Sequence, residues 1–90
     1  MSAAKFQLGK IVSTPNALNH LTYDDISAGL MRHVTGDWGD VDEHDRQENE
    51  TSLQKGFRLL SVYHAANGVK FWIITDADRS ATTVLLPEDY

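Results

Sequence analysis

The chain has no cysteine, only two prolines, and no apolar run of the roughly 18 residues a spanning helix needs. Without cysteine there are no disulfides, no thiolate zinc sites and no thiol nucleophile, which fits a reducing cytoplasm. Met1 to Lys10 lacks the basic start and apolar stretch of a secretory leader. Phosphate-cradling glycine loops and serine-nucleophile elbows are missing too. Bases are scarce: 8 Lys+Arg stand against 13 Asp+Glu, a formal net charge of −5. A free-standing nucleic-acid binder carries the opposite balance. The expectation is therefore no direct contact with nucleic acid and none with a membrane.

What remains is 90 residues, 41% of them apolar, enough for one folded domain over residues 1–90 with a modest core. The acid is concentrated. Asp37, Asp40, Asp42, Glu43, Asp45, Glu48 and Glu50 share a window of 14 residues with a single base, Arg46, for a local net charge of −6. The other 76 residues carry a net charge of +1.

Hydropathy patterning predicts a strand over Lys5 to Val12, with Phe6, Leu8 and Val12 on one side. Ser13 or Thr14 then caps a brief helix from Pro15 to about Leu21, because proline suits the first helical position. Thr22 and Asp25 suggest a capping box for a second helix, with Ile26, Leu30, Met31 and Val34 on one face. Gly36-Asp37-Trp38-Gly39 reads as a turn. Asp40 to Lys55 reads as an acidic helix, capped by Asp40 and stopped at Gly56, with only Val41 and Leu53 as apolar content. From Phe57 the period switches to two. Phe57–His64, Val69–Thr75 and Ala81–Leu86 form three strands, and Asn67-Gly68 marks the first hairpin. The fold class is α+β: an N-terminal strand, two or three helices, then a three-stranded antiparallel meander.

Two segments carry a family resemblance. One is His33-Val34-Thr35-Gly36-Asp37-Trp38-Gly39, followed by Asp42-Glu43 and Asn49. The other runs from Trp72-Ile73-Ile74-Thr75-Asp76 through Arg79-Ser80-Ala81-Thr82-Thr83 to Tyr90. Together they resemble a family of small bacterial proteins from plasmids and integrated mobile elements, found in the neighbourhood of restriction systems. The resemblance covers Phe6 to Tyr90 and implies a bacterial cytoplasm and mobile DNA. It also implies an anti-CRISPR-like or anti-restriction role.

Two functional readings follow from the residues. In the first, carboxylates along an exposed helix imitate the phosphates of a duplex and occupy a basic protein surface in a nucleic-acid-binding defence complex. The partner-binding set is then Asp37, Trp38, Asp40, Asp42, Glu43, Asp45, Glu48 and Glu50, with Trp38 as the apolar anchor. The bland counterparts are a solvated helix whose acids serve its dipole, and a Trp38 that closes the core. In the second, His33 and Arg79, with the hydroxyls of Thr75, Ser80, Thr82 and Thr83, form the catalytic set of a metal-independent ribonuclease of barnase-like or RelE-like fold. Its bland counterpart pairs Arg79 with Asp76 or Asp78 and leaves His33 as a helix-terminal cation. No cofactor or metal is expected. His44 and His64 lack ligand-spaced partners, and Asp76-x-Asp78 is too short for a calcium loop. Apolar residues on both sides of the meander also allow a homodimer through the sheet face.

Overall fold

A computed structural model describes residues 3–90. The elements are β1 (Lys10–Ser13), α1 (Pro15–His20), α2 (Tyr23–Val34), α3 (Glu43–Lys55), β2 (Leu59–His64), β3 (Lys70–Thr75) and β4 (Ala81–Leu85). A short 3-10 turn over Pro87–Asp89 follows. The sheet order is β1-β4-β3-β2. Strands β2, β3 and β4 form the expected antiparallel meander, in the register Val62↔Trp72 and Trp72↔Leu85. Strand β1 adds to β4 in parallel, with Lys10 opposite Ala81 and Ser13 opposite Val84. The α+β class stands, with one strand more in the sheet than a bare meander.

Local chemistry explains most boundaries. The Thr14 hydroxyl accepts from the Ala17 amide at 3.1 Å and Pro15 opens α1. Thr22 and Asp25 form a reciprocal capping box at α2, each side chain holding the other's amide. The amide bonds from Thr22 and Ala66 keep the Asp25 carboxyl below the usual carboxylate range. Asp42, not Asp40, caps α3: its Oδ1 accepts from the Asp45 amide at 2.8 Å. Asp40 is instead drawn to β2, where its amide donates to the Val62 carbonyl at 2.7 Å. Residues 5–9 are not strand. Gly9 takes φ 66°, and a side chain there would collide with the Ser80 carbonyl at 2.4 Å. Beyond that bend Phe6 packs against both His33 and Trp38, which also touch each other.

One face of the sheet carries the core. Phe71, Ile73 and Val84 are fully or almost fully buried under α1 and α2, and Leu59 is buried on the same face of β2. Each such burial is worth about 1.5–3 kcal/mol. The inward stripe of α2 is Ile26, Gly29, Leu30 and His33, while Met31, expected on that stripe, is exposed. On the opposite face Tyr90 lies against Trp72 with ring centroids 5.6 Å apart, and the Arg58 guanidinium donates to the Tyr90 hydroxyl. That face is the one the sequence leaves open for a homodimer, and here the Tyr90–Arg58 pair lies over part of it.

Candidate functional site

Helix α3 is mounted on the edge of β2 by polar contacts. The Asn49 amide is 5% exposed and grips one residue of the edge strand. Its Nδ2 donates to the Leu60 carbonyl at 2.7 Å, and its Oδ1 accepts from the Leu60 amide at 3.0 Å. The fork substitutes for a neighbouring strand. The next outward-facing residue is satisfied by main chain: the Val62 amide donates to the Trp38 carbonyl at 3.0 Å, forming a parallel bridge at Gly39. Only glycine fits there. Gly39 takes φ 77°, and a Cβ would sit 2.0 Å from the Val62 carbonyl oxygen.

Trp38 is 3% exposed. Its indole N–H donates to Glu50 at 2.7 Å and its ring packs on Phe6 and edge-on to His33. The anchor foreseen for a partner is thus part of the interior, because the Phe6 ring and the Glu50 acceptor hold the indole inside. Glu50 comes with it. Asp37 is bound by Arg32 through two bonds of 2.7 and 3.2 Å, which hold its carboxyl below the usual range. Asp40 accepts from His64 at 2.8 Å and is lowered by that bond. Glu43 is paired with Arg46 at 2.7 and 2.5 Å and is lowered in the same way. Asp42 spends one oxygen on the helix cap. Two carboxylates of the window remain turned to solvent without a close cation, Asp45 and Glu48, with only the His44 ring at 3.5 and 3.6 Å.

Asp45 and Glu48 border a surface cavity of about 390 Å³, whose other walls include Asn49, Phe57, Arg58 and Leu60. The Phe57 ring is 55% exposed. The site therefore offers two carboxylates, an amide and an aromatic face within one concavity, together with the Arg58 guanidinium, which is turned to the Tyr90 hydroxyl. Phe57 was missed by the sequence reading, which placed it inside β2. The strand begins at Leu59, two residues later. Asp42, His44 and Asp45 also bring one ligand atom each within 4.8 Å of one another, although sequence spacing gives His44 no such neighbours. All three are exposed and Asp42 is committed to its cap.

The residues of the ribonuclease reading meet in a different role. His33 is 0% exposed. A single chain of hydrogen bonds fixes the tautomer of its neutral ring. The Thr82 hydroxyl donates to the Leu8 carbonyl at 2.6 Å, so it accepts from Thr75 at 2.7 Å. Thr75, its proton spent, accepts from His33 Nε2 at 2.8 Å. His33 Nδ1 is then the acceptor for the Ser61 hydroxyl at 2.5 Å. The imidazole is neutral. Burial first, then the charge of Arg79, lowers its pKa from 6.5 to about 4. This replaces the expected helix-terminal cation. Arg79 sits at φ 62° and aims its guanidinium at the carbonyls of Phe57, Asp76, Ala77 and Ser52, not at a carboxylate of its own turn. Thr75 and Thr82 are buried, and neither His33 nor these hydroxyls have surface to offer a substrate. Thr83 pairs with Ile74 and Val12, on the sheet face away from His33.

Comparison with protein-family models, with curated proteins and with solved structures finds no match to this chain. Among the described residues, no helix is long and apolar enough to cross a membrane.

Proposed function

We propose that this chain is an interaction protein of the bacterial cytoplasm that uses α3 to occupy a basic surface on a nucleic-acid-binding partner. With the family resemblance of its sequence, the partner class is a host defence nuclease complex of CRISPR or restriction type, and the effect is inhibition or modulation. The observation that carries the reading is the cavity beside α3. Asp45 and Glu48 lie unpaired with lysine or arginine next to an exposed Phe57, on a helix whose inward side is fixed by Asn49 and Glu50. A guanidinium or ammonium group on a partner would find carboxylates and an aromatic face together. Preorganisation helps, since the helix does not have to be ordered on binding.

The anchor of this reading is Phe57 rather than Trp38. The charge that matters is narrower than the whole acidic window, because Arg32, Arg46 and His64 already engage Asp37, Glu43 and Asp40. A clean test leaves Asp42 alone, since reversing it would remove the cap of α3. Tagged wild-type protein and the Asp45→Lys/Glu48→Lys variant are used to capture partners from bacterial lysate at low salt. The wild type should retain a basic, nucleic-acid-binding complex and release it as salt rises. The variant should lose roughly tenfold or more in affinity while its circular dichroism is unchanged. Capture that survives the double reversal, or that ignores salt, would sink the electrostatic reading.

A further inference from the structure

The far edge of the sheet is built for another strand. In β1 the amides of Lys10 and Thr14 point inward, donating to Ser80 and Val84 of the β4 side at 2.9 and 3.0 Å. By alternation, the N–H and C=O groups of Ile11 and Ser13 point outward. Among the described residues no backbone group faces them, since β1 pairs only with β4. Two devices that blunt an edge are present, the shortness of the four-residue strand and the charge of Lys10, but the strand holds no proline and no other charge. Ile11 is instead half exposed, at 50%, and Val12 is exposed as well.

Beside this edge lies a cavity of about 460 Å³, walled by Ser13, Leu18, Leu21, Tyr23, Ile26 and Leu30. Its walls are mostly apolar, and Leu18 is 60% exposed.

We infer that the occupant of this edge is a second copy of the chain, joined β1 to β1 about a twofold axis at Val12. Three observations select a copy of itself over an unrelated strand. The register centred on Val12 sets Ile11 opposite Ser13 of the mate and Ser13 opposite its Ile11, so all four outward groups on each side are used. Registers centred on Ile11 or on Ser13 use only part of them, because residue 9 is not strand and Pro15 has no N–H. Second, side chains fit in that register. Ile11 and Ser13 share the helix-covered face, in line with Thr82 and Val84. Ser13 is small and forms the lip of the cavity, so the large Ile11 of one copy arrives at the apolar cavity of the other. On the opposite face Val12 meets its own equivalent, and such non-hydrogen-bonded pairs bring side chains closest. Third, charge permits it. The acidic α3 is attached to β2, at the other end of the sheet. In an eight-stranded sheet the two β2 strands are seven spacings apart, roughly 34 Å, far beyond a Debye length of about 8 Å.

The test is mass in solution as a function of concentration, on the whole chain. Sedimentation velocity from about 1 to 300 µM should show a shift from the 10.1 kDa monomer toward twice that mass. Ile11→Lys places a charge at the centre of the contact and should weaken association roughly tenfold or more. Phe57→Lys, on the other side of the molecule, should leave it unchanged. Hydrogen exchange gives a readout that needs no variant: protection of the Ile11 and Ser13 amides should rise with concentration. A chain that stays at monomer mass throughout overturns the proposal. So does a dimer that persists in folded Ile11→Lys, or one whose formation leaves the Ile11 and Ser13 amides unprotected.

Discussion

The two edges of this sheet are treated in opposite ways. At β2 the outward groups of Leu60 are gripped by Asn49, those of Val62 by Trp38 and Asp40, and His64 is met by the Asp40 carboxylate. At β1 the outward groups of Ile11 and Ser13 meet nothing among the described residues. The sealed edge is covered by the Asn49 amide and by the main chain of Trp38 and Asp40, with Glu50 holding the Trp38 indole in place. The open edge is flanked by most of the large apolar residues left at the surface: Ile11, Val12, Leu18 and Tyr23. The lesson is that an acid-rich segment of sequence can serve as a covering for a strand through its main chain and a single amide side chain. Its nature as a ligand for other molecules is then limited to what the covering leaves over.

The contrast can be broken from the sealed side. Trp38→Ala empties a site bounded by Phe6 and His33 and orphans Glu50, and should cost about 3–5 kcal/mol. Urea unfolding measures it, and a loss under 1 kcal/mol would mean that Trp38 does not hold the edge in place.

Acid attacks the same region. His33 is neutral in the fold with its pKa lowered to about 4, whereas its unfolded value is near 6.5. Between those values the unfolded chain binds the extra proton, so stability falls as pH is lowered from 6.5 to 4. The expected loss is about 3 kcal/mol, complete near the folded pKa. Below that range the carboxylates lowered by Arg32 and the capping amides add a further loss as they protonate. His33→Gln should flatten the pH 4–6.5 slope, and a wild-type denaturation midpoint that is level across that interval would contradict the neutral assignment.

The smallest effects come from a paired comparison of the edges. Asn49→Ala leaves the Leu60 amide and carbonyl part-buried without partners, a cost of about 2 kcal/mol. Ile11→Lys, measured at a concentration where the chain is monomeric, should stay within about 0.5 kcal/mol of wild type, because its side chain is already half exposed. Equal losses at the two positions would erase the distinction between a sealed and an open edge.

Much of the fold was legible where the signals are local. Pro15 after Thr14, the Thr22–Asp25 box, the glycines flanking Asp37-Trp38 and the Asn67-Gly68 hairpin all do locally what their chemistry suggests. What could not be read depends on distant partners. Asp40 would suit a helix cap, but the Val62 carbonyl competes for its amide and leaves the cap to Asp42. Met31 fits an apolar stripe by spacing, yet the true inward row includes Gly29 and His33, residues that carry no hydrophobic signal. His33 was legible as a residue facing hydroxyls on a sheet. Its burial was not, since that follows from Phe6 and Trp38 closing over it from elsewhere in the chain. The candidate site was half legible: the acids were visible, while the Arg and His partners of Asp37, Asp40 and Glu43 reduced their number. Exposed Phe57 was hidden by its resemblance to a strand residue.

The parallel pairing of β1 with β4 has a consequence in time. Lys10 is made about 70 residues before Ala81, its partner. At ribosomal rates of about 5–20 residues per second, β1 waits several seconds for the strand that receives it. The hairpin of β2 and β3 can close within microseconds, but the sheet is finished only when the beginning and end of the fold meet. The last clasp is visible at Asp89, whose carboxylate takes bonds from Thr14 at 2.7 Å and Asn16 at 3.1 Å. Until that clasp closes, the apolar flank of β1 and the two short helices after it are unsheltered, and this is the interval in which a newborn chain is most open to a chaperone or to its neighbours on the same message.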